Sequence, residues 1–184
     1  MTWGGARNRS VSYALTPRQV QAIYDAAEVA TAAGLPFNRL VTVHWTALGV
    51  ADDGAARATG KLIKLAADWC ATKGTKMAWA WVRENDAGDM SKGSHVHIML
   101  HCPADLPMGR MWRRWLRRLT NGKYRTGALA SRTIGPTLKS CFSNPALYRE
   151  NLEAVLAYTC KGIAPDLGGW IFGKRAAWWQ KPRR

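Results

Sequence analysis

Two hydrophobic periods alternate along this chain. Thr16 to Ala33 opens with Thr-Pro, a capping residue followed by proline at the first helical position, and stops at Gly34 and Pro36. That pattern predicts a helix. Arg39 to Thr46 (RLVTVHWT) is β-branched and aromatic and reads as a strand. Ala55 to Thr72 returns to helical spacing, with Leu62, Ile63, Ala66 and Trp69 on one side. Met77 to Glu84 and Ser94 to Cys102 read as two further strands. The Gly-, Asp- and Ser-rich loop 85–93 between them suggests a long-looped hairpin. Met108 to Thr120 is an amphipathic helix with Trp112, Trp115, Leu116 and Leu119 as its apolar stripe. Ala128 to Ile134 is a weaker strand candidate. Asn144-Pro145 starts a last helix that runs to about Cys160 and stops at Gly162.

This order predicts an α+β fold, a central antiparallel sheet with helices packed mainly on one face. A chain of 184 residues suggests one domain over 1–184. Residues 1 to about 35 read as an N-terminal helical extension, and about 163–184 as a basic C-terminal tail. No apolar run is long enough to span a bilayer, and Met1 to Ser10 lacks the apolar core of an export signal. The expected setting is therefore the cytoplasm, with no membrane partner. Cys70, Cys102, Cys141 and Cys160 show no CxxC pairing and are expected as reduced thiols.

Charge adds a partner to this outline. The formal net charge is +15, and it is concentrated in one half. Residues 1–106 carry 11 Lys/Arg against 9 Asp/Glu, whereas 107–184 carry 16 against 3. A polyanion is the natural partner for such a half, nucleic acid being the commonest; a solvated basic surface or a membrane-surface patch is the alternative. Arg110, Arg113, Arg114, Arg117 and Arg118 fill the polar side of the amphipathic helix and are the candidate DNA contacts. Of ten tryptophans, several must be core residues and others can stack on unpaired bases. The sequence does not say which.

The segment Ser94-His-Val-His-Ile-Met-Leu-His101 carries the chemistry. On a strand, His95 and His97 point to one face and can address one metal ion, while Val96, Ile98 and Leu100 face a core. Any strand can carry such a pair by chance. A simple hairpin register, however, sets Glu84 opposite His95, and cross-strand partners on one face are close enough to share a ligand. Glu84, His95 and His97 would then form an O,N,N site with open positions, suited to Mg²⁺ or Mn²⁺. His101 lies about 13 Å further along the same face and is expected to be packed or on the surface. His44, on another strand, could border the site.

On the last helix, Tyr148, Leu152, Val155, Leu156 and Thr159 form the apolar side. Tyr158 falls at its edge, with Lys161 one turn on. A phenol is a poor nucleophile at neutral pH, and a neighbouring ammonium favours its phenolate and can hold a phosphate oxygen. Taken alone, the pair also reads as a half-buried tyrosine beside a surface lysine.

Together these motifs resemble the HUH (histidine–hydrophobic–histidine) endonucleases, in particular the single-tyrosine rolling-circle replication initiators. The likeness rests on Leu40 to Thr46 as the first motif, on His95-Val96-His97 with Glu84 on the preceding strand as the second, and on Tyr158-Thr-Cys-Lys161 as the third. It spans residues 37–162. The segments WVRENDAGDMSKGSHVHIML and ALYRENLEAVLAYTCKG, and the terminal Gly173-Lys174-Arg175, also look like those of bacterial relatives carried on chromosomes, plasmids or prophages. The resemblance implies a ferredoxin/RRM-like core, a divalent metal cofactor (Mn²⁺ or Mg²⁺) held by Glu84, His95 and His97, and Tyr158 as nucleophile with Lys161 beside it. It implies site-specific nicking and rejoining of single-stranded DNA, at an origin or hairpin, through a 5′-phosphotyrosine link. The sequence contains no Walker-type phosphate loop, so a host helicase, and a host polymerase, would act alongside.

Three rival readings remain open. One keeps the chemistry in a single-tyrosine transposase or relaxase. Another is a non-catalytic single-strand-binding domain on the same scaffold, working through stacking and charge. The third, a basic architectural or ribosome-associated protein, explains the charge and leaves the ordered motifs unexplained.

Overall fold

The computed structural model describes residues 11–86, 93–164, 167 and 169–180, except the side chain of Asp86. Its centre is a five-stranded antiparallel sheet in the order β5-β2-β4-β3-β7. These strands are β2 (Arg39–His44), β3 (Trp79–Asp86), β4 (Gly93–Leu100), β5 (Leu129–Thr133) and β7 (Ala176–Trp178). A two-stranded ribbon, β1 (Val11–Ser12) with β6 (Ile171–Phe172), lies beside it. The helices are α1 (Pro17–Ala32), α2 (Asp52–Thr72), α3 (Met108–Leu119), the single turn α4 (Ser140–Ser143) and α5 (Pro145–Cys160). The fold is α+β with a central antiparallel sheet, as expected. Of the loop 85–93, residues 87–92 lie outside the described residues, as does the segment Met1 to Ser10.

Strand alternation sends side chains to two cores. Val41 and Val43, Trp81, and Val96, Ile98 and Leu100 pack with Leu62, Ile63 and Ala66 of α2 and Trp112, Trp115 and Leu116 of α3. On the opposite face Leu40, Ala80, Val82 and Met99 pack with Ile23, Ala26 and Ala30 of α1 and Tyr148, Leu152, Val155 and Leu156 of α5. The helices therefore cover both faces, which corrects the expectation of helices mainly on one face. The reason lies in small residues: Ala78, Ala80 and the alanines of α1 let the helix approach closely over the second face.

The segment read as a basic tail is also corrected. Its β7 extends the sheet by pairing with β3, Trp81 opposite Ala177. Arg175 within it is 2% exposed. Its hold on the body of the protein comes from Arg83, wholly buried, which donates to the carbonyls of Phe172 and Lys174 and pairs with Asp52 at the start of α2. Asp52 in turn accepts from the Phe172 amide at 2.7 Å. The N-terminal extension is likewise part of the core: α1 starts in a capping box between Thr16 and Gln19, and Leu15 N–H donates to Gly162 O at 2.8 Å.

Candidate metal centre and tyrosine site

The hairpin of β3 and β4 has the register assumed from sequence, with Glu84 opposite His95. Gly93 opens β4 at φ +62°, and a Cβ there would come within 2.6 Å of Thr46 Oγ1. That hydroxyl accepts from the Ser94 amide at 2.8 Å, so glycine lets the turn close onto β2's end and fixes where the histidine strand begins.

From these strands Glu84, His95 and His97 converge on the α1/α5 side, all buried and each with a ligand atom within 4.8 Å of the others. Glu84 Oε2 lies 3.3 Å from His95 Nε2 and 3.6 Å from His97 Nε2. Each ring is oriented through its other nitrogen. His95 Nδ1 donates to Gly93 O at 3.0 Å, and His97 Nδ1 shares a 2.9 Å hydrogen bond with the Thr42 hydroxyl on β2. With Nδ1 engaged by that carbonyl, His95 turns Nε2 toward the carboxylate. Glu84 Oε1 and His97 Nε2 are buried and have no hydrogen-bond partner among the described residues. Lone pairs converging in a buried space call for a cation between them. Two ligands about 2.0–2.2 Å from one ion stand roughly 2.8–3.6 Å apart at angles from 90° to 110°, which brackets the separations here. The group could hold a metal ion.

The electrostatics match that role. Burial alone would raise the Glu84 carboxyl; in the metal-free protein, where the ring nitrogens facing it can carry protons, hydrogen bonds from His95 and His97 and the charges of His97 and Lys161 outweigh that and hold the pKa at about 2. Burial lowers His97 below the usual histidine value despite Glu84, keeping the ring neutral as a ligand must be. Lys161 Nζ sits 3.2 Å from Glu84 Oε2. Its own pKa is raised: burial acts downward, and the Glu84 carboxylate and Tyr158 phenol overcome it.

Helix α5 brings the tyrosine to the same face. Asn144 caps it by accepting from Leu147 N–H, and Pro145 occupies its first turn. Buried Tyr148 donates to Phe37 O at 2.8 Å, anchoring the helix to the approach to β2. The apolar residues read from sequence, Tyr148, Leu152, Val155, Leu156 and Thr159, are all buried. With that side inward, Tyr158 lies at the edge, 43% exposed, its ring 5.2 Å edge-on from the His97 ring. Lys161 Nζ is 4.4 Å from the centre of the Tyr158 ring. The chain thus places a phenol, an ammonium, a carboxylate and two imidazoles in one cluster.

His44 belongs to this cluster, its ring stacked on His95 with 5.2 Å between centroids. His101 does not. It is buried and donates from Nδ1 to Pro36 O at 2.9 Å, the packed histidine expected. Cys70, Cys102, Cys141 and Cys160 are free thiols. Two neighbours were missed in the sequence. Thr42 orients His97, and Arg132 of β5 holds its guanidinium carbon 6.0 Å from the Tyr158 ring centre. The only signal for Arg132 was its position in a weak strand candidate, which required knowing that β5 pairs with β2, Arg132 opposite Leu40. The five arginines of α3 are exposed as expected, but α3 packs in the other core, on the sheet face away from Glu84, His95 and His97.

Comparison with protein-family models, with curated proteins and with solved structures finds no match for this chain. Among the described residues, no helix is long and apolar enough to cross a membrane.

Proposed function

We propose that this protein nicks and rejoins single-stranded DNA as a metal-dependent, tyrosine-nucleophile endonuclease of the HUH type, serving replication initiation on a bacterial plasmid, phage or integrated element. The observation that carries the reading is the meeting of Tyr158 and Lys161 with Glu84, His95 and His97 on one face, from three separate elements. A carboxylate with two imidazoles suits Mg²⁺ or Mn²⁺, the imidazoles favouring Mn²⁺. A bound divalent ion supplies Lewis-acid polarisation of a phosphate oxygen.

Lys161 keeps positive charge beside the phenol, where it would hold a phosphate oxygen. Arg132, on the other strand of that face, is placed to hold a second phosphate oxygen. The Tyr158 Oη attacks phosphorus, forming a phosphotyrosine bond as the bond from phosphorus to the 3′-oxygen breaks. The phenolic proton passes to the departing oxygen, which leaves as a 3′-hydroxyl. Because the phosphodiester count is unchanged, the reverse attack rejoins the ends without ATP. The α3 arginines would contact DNA phosphates away from the cleavage point.

The test uses end-labelled oligonucleotides from a diverse single-stranded pool, with Mn²⁺ or chelator. The expected result is a 3′-labelled fragment fixed to the protein and a free 5′-labelled fragment that a polymerase extends. Both disappear with chelator and in Tyr158→Phe. Binding with no covalent product under any metal overturns the reading and leaves a single-strand-binding module.

A further inference from the structure

Resting on that reading, we propose that unpaired DNA bases stack in the groove formed by β6, β7 and the start of α2, and that this groove, not the α3 arginines, is the track that leads single-stranded DNA to the site.

Among the described residues Trp170 is the one exposed tryptophan, at 42%. Its ring meets Phe172, 38% exposed, edge-on at 5.3 Å. Two large rings in water are costly unless something covers them. Both line a groove of about 1380 Å³, with Arg57, Lys174 and Trp178 on its walls. Flat rings interleaved with cations are what unpaired bases on a phosphate chain recognise, since every base has a face to stack. Asp52 in the same wall is paired with Arg83, which leaves the exposed Asp53 as the acid at the mouth.

The groove adjoins the strand that carries Glu84. The Asn85 side-chain amide donates to Trp170 O at 3.0 Å, and Asn85 follows Glu84 on β3. Gly169, at φ +58°, lies so close to the Asn85 carbonyl that a Cβ would stand 1.6 Å from its oxygen. That contact ties the aromatic pair to the strand end carrying the metal carboxylate. The Arg83 and Asp52 bonds to the Phe172 backbone hold the platform rigid before any strand arrives.

The experiment measures anisotropy of a labelled oligothymidylate of about 20 nucleotides, longer than the roughly 4–16 a stacking groove occupies, in chelator so that no cleavage intervenes. Trp170→Ala and Phe172→Ala should each weaken binding at least about fivefold, with wild-type thermal melting. Arg57→Ala and Lys174→Ala should weaken it and flatten its dependence on salt. Asp53→Asn should tighten it. A ring variant of wild-type melting and wild-type affinity overturns the proposal. So does a duplex that binds as tightly as the single strand and loses as much in the ring variants. Should the ring variants melt low, Arg57→Glu and Lys174→Glu decide, and unchanged affinity in both overturns it. The end-label assay on the wild-type protein separates this claim from the nuclease reading. Covalent product with ring variants of full affinity sinks the groove alone, while lost affinity without any covalent product supports the groove and sinks the nuclease.

Discussion

His97 shows how a single side chain is prepared for its role. Its Nδ1 is engaged by Thr42, its Nε2 is left bare toward Glu84, and burial keeps it neutral. Groups that orient a ligating imidazole are worth about 10–100-fold in metal affinity. Thr42→Val should therefore weaken Mn²⁺ binding by about that factor in calorimetric titration, while the fold persists. Glu84 has a separate signature in metal-free protein. Its folded pKa, about 2, lies below the ordinary value of 4.5. A depressed carboxylate stabilises the fold above the unfolded pKa, and that stability is lost as pH falls through the folded one. In chelator, thermal stability should drop as pH falls from about 4.5 toward about 2, and Glu84→Gln should flatten that part of the profile.

Strands and helices were legible where a period was sustained. The alternation of Ser94 to Cys102 fixed β4, and the register that sets Glu84 beside His95 followed from the simplest hairpin. The phase of α5 put Tyr158 at an edge because five apolar positions agreed on one side. What escaped were short pieces. Ile171–Phe172 and Ala176–Trp178 are separated by Gly173, Lys174 and Arg175, so no period develops and the stretch reads as a charged tail. Its place is fixed by a buried charge network, invisible without the fold. Breaking a buried pair by removing one partner costs about 3–5 kcal/mol. Asp52→Ala, which leaves Arg83 unpaired, should destabilise the protein by about that amount in denaturant melts. Gly93→Ala should also lower stability, since Thr46 must move and an L-residue is strained at φ +62°.

Across the molecule the sheet divides the labour. One face, under α2 and α3, is a packed hydrocarbon core with an arginine helix outside it. The other carries Glu84, His95 and His97, the group that could hold a metal ion, beneath α1 and α5, so the strongest basic feature and that group lie on opposite sides. The histidine pattern and the charge pattern were each readable, but their relation was not, because it depends on which sheet face each helix covers. The proposed activity stands on one chemical event. After incubation with Mn²⁺ and a single-stranded pool, protease digestion and mass spectrometry should find a nucleotide 5′-phosphate on the Tyr158 peptide, absent with chelator. A DNA-linked peptide elsewhere in the chain, or the same adduct in chelator, would contradict it.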